Sequence, residues 1–268
     1  MAVNLAGDCR VSEMREGEPL NEGTLRIWKQ IGRGCGAQAI SLRVMEFAPG
    51  LSPTIRNGEC DEILYVLPWQ SDDELSGEVT RVSGWVNLLI DGRSHEVGPD
   101  TGIYLRPNQT FAIDNPGLQS VILVSSQCPD PDRVPQFVPP LTTPASDSSQ
   151  PARSPLVRLA DRPVQPTADR WYRVLVDNEI GSTNATQFVG SIPSGRAPDH
   201  FHNYEEVLFI LKGKGQMWAG ETNTPIAPGS CIYLPKGQIH CVENTGASEL
   251  RLLGVFYPAG SPSVRYDL

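Results

Sequence analysis

One stretch of this chain occurs twice, and that duplication limits what it can fold into more than any other feature. Asp61-Glu62-Ile63-Leu64-Tyr65-Val66-Leu67 matches Glu205-Glu206-Val207-Leu208-Phe209-Ile210-Leu211, and Pro99 to Leu105, continuing to Asp114-Asn115, matches Pro228 to Glu243-Asn244 without a gap. An internal repeat of this kind means one supersecondary unit built twice. The repeated pieces are short, apolar or alternating, and bounded by Gly, Pro, Asn or Asp. So are Leu25 to Ile31, Ala39 to Phe47, Trp85 to Ile90, Ser120 to Ser125, Trp171 to Asp177, Thr186 to Ile192 and Glu249 to Tyr257. That pattern predicts strands. The expected fold class is all-β, with few helices and two related units in one chain.

Between the two copies the composition changes. Pro129, Pro131, Pro135, Pro139, Pro140, Pro144, Pro151, Pro155, Pro163 and Pro166 punctuate a segment rich in Ser, Thr and Asp. Proline removes ladder donors and favours extended backbone, so this stretch is expected to run over the surface as a linker. The expected organisation is an N-terminal domain over 1–128, a linker over 129–168 and a C-terminal domain over 169–268. The short apolar pieces Val134 to Val138 and Leu156 to Leu159 are expected to pin the linker to a barrel. An insertion, residues 68–81, has no counterpart in the second copy, which turns through Lys212-Gly213-Lys214-Gly215; its acidic content reads as a solvated hairpin extension.

Three of the four histidines fall into one spaced pattern: His200, His202 and His240, with Glu206 four residues after the second. On an extended strand side chains alternate with period two, so His200, His202 and Glu206 share a face, the two histidines about 7 Å apart. His240 then comes from a neighbouring strand. Three imidazoles and a carboxylate make a mixed N/O site that suits Fe, Mn, Ni, Cu or Zn. Around them stand Gly195-Arg-Ala-Pro-Asp-His200-Phe-His202-Asn-Tyr-Glu-Glu206, then Gly213, and further on Gly229, Pro235-Lys-Gly237-Gln-Ile-His240 and Asn244.

Those residues and spacings resemble the two motifs of the cupin superfamily, over residues 170 to 258. The resemblance implies a small jelly-roll β-barrel in each half, a bicupin, with His200, His202, Glu206 and His240 as ligands of one divalent transition metal, Fe foremost. Laying the first half on the second puts Arg56 at the place of His200, Gly58 at that of His202 and Phe111 at that of His240; only Glu62 keeps a ligand identity. One carboxylate cannot hold a transition metal. The N-terminal barrel is therefore expected to be metal-free, with Arg56 neutralising Glu62. The outward residues Val207, Phe209 and Leu211 are expected to pack against the other barrel, and Leu208, Ile210 and Val242 to face the barrel interior.

For activity, a metal with four protein ligands keeps positions open for substrate oxygen or dioxygen. The expectation is an Fe(II) dioxygenase that oxidises a small organic substrate chelated at the C-terminal metal. Gln187, Tyr204 and Gln238 are candidates to orient that substrate. The alternatives are a Mn-, Ni- or Zn-dependent isomerase, lyase or hydrolase, related to ureidoglycine aminohydrolases or to decarboxylases, and a non-catalytic small-molecule-binding cupin.

Charge and composition exclude other classes. With 31 Asp and Glu against 22 Lys and Arg, the net charge of -9 argues against nucleic acid as a partner. No run approaches 18 apolar residues and the first residues lack the apolar core of a signal peptide, so no membrane partner and a cytoplasmic location are expected. Cys9, Cys35, Cys60, Cys128, Cys231 and Cys241 lack a CxxC spacing and read as reduced thiols, Cys241 in core packing rather than ligation. His95 follows a turn signal and reads as a surface residue. Many bicupins associate in pairs, and the sequence leaves open whether two such chains form a homodimer.

Overall fold

In the computed structural model, which describes residues 1–68, 85–141, 153–167 and 169–263, the chain is built almost wholly of strands, with three short 3-10 turns as its helical content among the described residues. The strands form four sheets, two to each barrel. In the C-terminal barrel the larger sheet runs Ser230–Leu234, Glu205–Lys212, Leu250–Tyr257, Thr186–Ile192 and Arg170–Val176 in antiparallel order. The smaller sheet contains Gly195–Arg196, His240–Asn244, Gly215–Ala219 and Thr222–Ile226. The N-terminal barrel repeats this with Thr101–Leu105, Asp61–Val66, Val121–Cys128, Leu42–Phe47 and Leu25–Ile31 in one sheet and Thr54–Arg56, Thr110–Asn115, Val86–Ile90 and Arg93–Val97 in the other.

Chain exchange knits the two barrels. Residues Arg10–Glu13 add to the edge of the C-terminal sheet by pairing with Ser230–Leu234. In return Leu156–Arg158 adds to the edge of the N-terminal sheet, on Thr101–Leu105, and Gln136–Val138 pairs with Thr54–Arg56. The apolar pieces of the proline-rich segment thus pin it to the first barrel.

Strands Asp61–Val66 and Glu205–Lys212 read as continuous apolar runs because both faces are covered. Leu208 and Ile210 join Phe188, Met217, Ile232, Val242 and Phe256 inside the C-terminal barrel. Val207, Phe209 and Leu211 face the other way and pack with Val44, Ile63 and Tyr65 of the N-terminal barrel in one core between the two. Leu64 and Val66 in turn fill the N-terminal barrel beside Phe111, which is fully buried.

The residues that begin the two repeated strands also point between the barrels. Asp61 accepts from the hydroxyl of Tyr104 at 2.7 Å and from Asn184 Nδ2 at 2.9 Å. Its counterpart Glu205 accepts from the hydroxyl of Tyr233 and from the backbone N–H groups of Gln38 and Ala39, each at 2.7 Å. Each carboxylate therefore bonds a tyrosine of its own barrel and a loop of the other, the signature of a pseudo-twofold axis.

The partner of Glu62 differs from expectation. Its carboxylate is fully buried and is neutralised by Arg43, not Arg56, with further bonds from the Ser125 hydroxyl at 2.8 Å and Gln127 Nε2 at 3.2 Å. Arg56 is half-buried on strand Thr54–Arg56, beside Thr110 and Gln136. Spacing along one strand suggested Arg56; the true partner lies across the sheet, where Arg43 stands opposite Ser125 and Gln127 opposite Glu62. Residues 69–81 of the insertion lie outside the described residues. His95 sits half-buried on strand Arg93–Val97. All six cysteines are free thiols, and five of them are buried.

Candidate metal centre

The register of two short strands brings the histidines together. His200 and His240 form an antiparallel bridge, with His200 N–H on His240 O at 3.1 Å and His240 N–H on His200 O at 2.9 Å. The His202 carbonyl accepts from Gly237 N–H at 2.8 Å. The Pro235 to Gly237 turn is therefore tied to the same loop that carries the first two histidines. That loop is braced from outside: Arg196 lies over the Trp218 ring at 4.2 Å and donates to Asp199 at 3.2 Å and to Cys241 Sγ at 3.2 Å. Cys241 thus faces away from the histidines, against Arg196, and burial pushes its thiol up to about 11.

His200, His202 and His240 form a cluster whose ligand atoms all lie within 4.8 Å of one another. Glu206 joins it from the adjoining strand, its Oε2 at 3.6 Å from His202 Nε2 and 3.8 Å from His240 Nε2. His200 and His240 direct Nδ1 to the carbonyls of Pro198 and Gln238, at 3.0 and 2.8 Å. A neutral imidazole whose Nδ1–H is so engaged has its ring plane and tautomer fixed and presents the Nε2 lone pair to the cluster, as a metal-binding histidine does.

The electrostatics also suit a cation. Burial drives Glu206 up to about 8 and, with His200 adding repulsion, lowers His202 to about 4 and His240 to about 3. Glu206 thus approaches the two rings in a place where burial opposes ionisation of the carboxyl and of both imidazoles alike. Desolvation opposes every charge here, and a bound cation would reverse that for the carboxylate while taking the imidazoles in the neutral form that ligates. Donor identity, mutual distance and protonation state fit a divalent transition metal.

One wall of the site is aromatic. Tyr204 stacks on the His202 ring with centroids 4.8 Å apart and planes at 10°, Phe256 lies 4.6 Å from Tyr204, and Phe188 stacks on Phe256 at 4.9 Å. Gly254 makes room for this: a Cβ there would come within 2.2 Å of the Phe188 ring. Phe188, Gly254 and Phe256 are the register counterparts of Arg43, Ser125 and Gln127 in the other barrel. Sequence reasoning missed Phe188 and Phe256, because only the pairing of non-adjacent strands places Phe256 opposite Glu206 and Phe188 against Phe256.

Of the three candidates for orienting a substrate, Tyr204 alone lies at the cluster. Gln187 faces the interface between barrels, its Nε2 3.4 Å from Leu64 O and its Oε1 near Gly102. Strand Thr186–Ile192 alternates like any other, and the face of Gln187 is opposite that of Phe188. Gln238 turns back on the chain, donating from Nε2 to Ile239 O at 2.7 Å, with Oε1 against Gly7.

A cupin-domain family model matches residues 188–256, the stretch that holds every residue of the cluster. An uncharacterized protein of Aquifex aeolicus (strain VF5) is 36% identical over 89 residues, covering 32% of this chain and 71% of that protein. The chain belongs to the cupin superfamily. Auxin-binding protein 1 of Arabidopsis thaliana is 36% identical to this cupin over 70 residues, 23% of the chain and 35% of that protein. Among solved structures, two variants of Bacillus subtilis oxalate decarboxylase superpose with TM-scores of 0.71 and 0.73 at 14% and 13% identity, each covering 94% of this chain and 78% of theirs. That likeness spans both barrels and makes the architecture that of a bicupin. No helix among the described residues is long and apolar enough to cross a membrane.

Proposed function

We propose that this bicupin is a metal-dependent enzyme, in which His200, His202, Glu206 and His240 hold one divalent transition metal, Fe foremost, and that it acts as a dioxygenase on a small organic substrate. Such a metal, when bound, supplies Lewis acidity and, if Fe(II), a site where dioxygen and a chelating substrate meet. The chain's own residues do the rest. The three imidazoles and Glu206 set a net charge of +1 around a divalent ion. Phe188, Phe256, Leu208 and Val242 keep the interior dry, and Arg196 and Trp218 fix the ligand-bearing loop.

The observation that carries this reading is the lining of the barrel. Among the described residues from 169 onward, no Lys or Arg side chain is buried; the one buried Arg belongs to the other barrel, at Arg43. A small dianion would have to be desolvated against a net charge of +1, with no fully buried Lys or Arg among the described residues of that barrel to complete its neutralisation. A planar, largely apolar substrate that chelates through one ionised oxygen meets no such cost, and dioxygen enters an apolar wall readily. This weighs against decarboxylation of a dicarboxylate.

A lyase, isomerase or hydrolase using Mn, Ni or Zn is the second reading, favoured by the two-barrel likeness to oxalate decarboxylase. A non-catalytic binding role is the third, favoured by the likeness to a protein named for binding auxin. Metal analysis of protein purified without added metal, followed by oxygen-uptake assays with catechol-like and acidic substrates, separates them. Bound Fe with uptake driven by a catechol-like substrate is the expected result. Bound Mn or Zn without uptake selects the second reading, and a metal-free protein that binds small aromatics selects the third.

A further inference from the structure

His202 differs from its two companions in how its ring is held. His200 and His240 each turn Nδ1 to a backbone carbonyl, whereas Nδ1 of His202 is buried without a hydrogen-bond partner among the described residues. The backbone of His202 is fixed by the bond from Gly237, but its χ2 is a broad sp³–sp² torsion that backbone bonding does not set. What faces the ring instead is Tyr204, stacked at 4.8 Å and 10°.

Tyr204 is itself held by the chain that follows strand Leu250–Tyr257. Its hydroxyl donates to Ser261 O at 3.3 Å. The backbone at Gly260 runs so close to the ring that a Cβ there would lie 2.7 Å from Cε1. Gly260 N–H donates to Thr186 Oγ1 at 3.3 Å, which ties this segment to strand Thr186–Ile192. Phe256 packs beside the stacked pair, 4.6 Å from Tyr204 and 5.6 Å from His202, tilted 51° to both rings.

We infer that the segment Pro258–Ser263 is a clamp for the metal site: Gly260 and Ser261 set the plane of Tyr204, and Tyr204 sets the plane of His202 in place of the missing outer hydrogen bond. Tyr204 is thus a positioning residue, not a substrate contact. This rests on the proposed metal site.

Co²⁺ serves as the probe, because its visible spectrum reports ligand geometry as well as occupancy. Tyr204→Leu removes the stack and lowers Co²⁺ affinity roughly 10- to 100-fold, the range seen for outer-shell changes, with altered absorption bands. Tyr204→Phe keeps the stack and stays within about threefold of wild type, since the hydrogen bond it loses is one step further out. Gly260→Val drives a branched side chain into the Tyr204 ring and lowers affinity about 3- to 30-fold, although Tyr204, His200, His202, Glu206 and His240 all keep their identity. Thermal unfolding of each protein checks the fold, and Gly260→Val keeps the test open if Tyr204→Leu fails to fold. A wild-type protein that binds Co²⁺ with the same affinity and spectrum as folded Tyr204→Leu or Gly260→Val overturns the clamp alone. A wild-type protein that binds no Co²⁺ overturns the metal site, and the clamp with it.

Discussion

The two barrels bury the same carboxylate at the same register position and treat it in opposite ways. Around Glu62 stand Arg43, Ser125 and Gln127, which together neutralise and hydrogen-bond both oxygens. Around Glu206 the equivalent positions are Phe188, Gly254 and Phe256, and the polar neighbours are His202 and His240. A buried charge must be compensated, and one fold meets that demand with an internal guanidinium in one half and with a site for an external cation in the other. The N-terminal barrel lacks the three histidines and also differs at three further positions on two other strands, Arg43, Ser125 and Gln127.

That contrast is open to attack from both sides. His240→Ala carries the largest expected effect: Co²⁺ or Fe²⁺ affinity falls by more than about 100-fold, beyond what outer-shell changes cost, while circular dichroism stays that of the wild type. An active variant with normal metal content would end the assignment. Phe111→Ala, at the matching place in the other barrel, costs about 3–5 kcal/mol of stability in urea unfolding because the ring is fully buried, with metal affinity unchanged.

Arg43→Met strands Glu62 without its counter-charge and costs about 3–5 kcal/mol. Replacing both, as Arg43→Met with Glu62→Leu, recovers most of that loss; a double variant as unstable as the single one would show that the pair does more than neutralise. Gly254→Ala overpacks Phe188 and costs about 1–3 kcal/mol, seen as a lower Tm and a changed kcat/KM. The smallest effect belongs to Arg56→Ala, under about 1 kcal/mol, as for a half-exposed charge with no buried partner among the described residues. A loss equal to that of Arg43→Met would restore the partner that sequence spacing suggested.

What the sequence made legible follows from the range of each physical rule. The run Glu205 to Leu211 announced a strand buried on both faces, and the structure shows each face doing what its alternation implied. His200, His202 and Glu206 share a face through period two, and His240 reaches them through a bridge to His200, as expected of a neighbouring strand. Pairing between distant strands was not legible. Arg43 meets Glu62, and Phe188 meets Phe256, through registers set by the whole sheet, so Arg56 and Gln187 were misplaced by reasoning that saw only local spacing. Exchange of edge strands, such as Arg10–Glu13 onto Ser230–Leu234, left no local mark at all.

The shared apolar layer between the barrels makes the histidine-bearing half inseparable from its neighbour. Cut away from residues 1–128, it would present Val207, Phe209 and Leu211 to water, lose an edge strand, and leave Glu205 without its amide donors. The upstream copy, though it lacks the histidines, covers that apolar face and supplies the amides that hold Glu205.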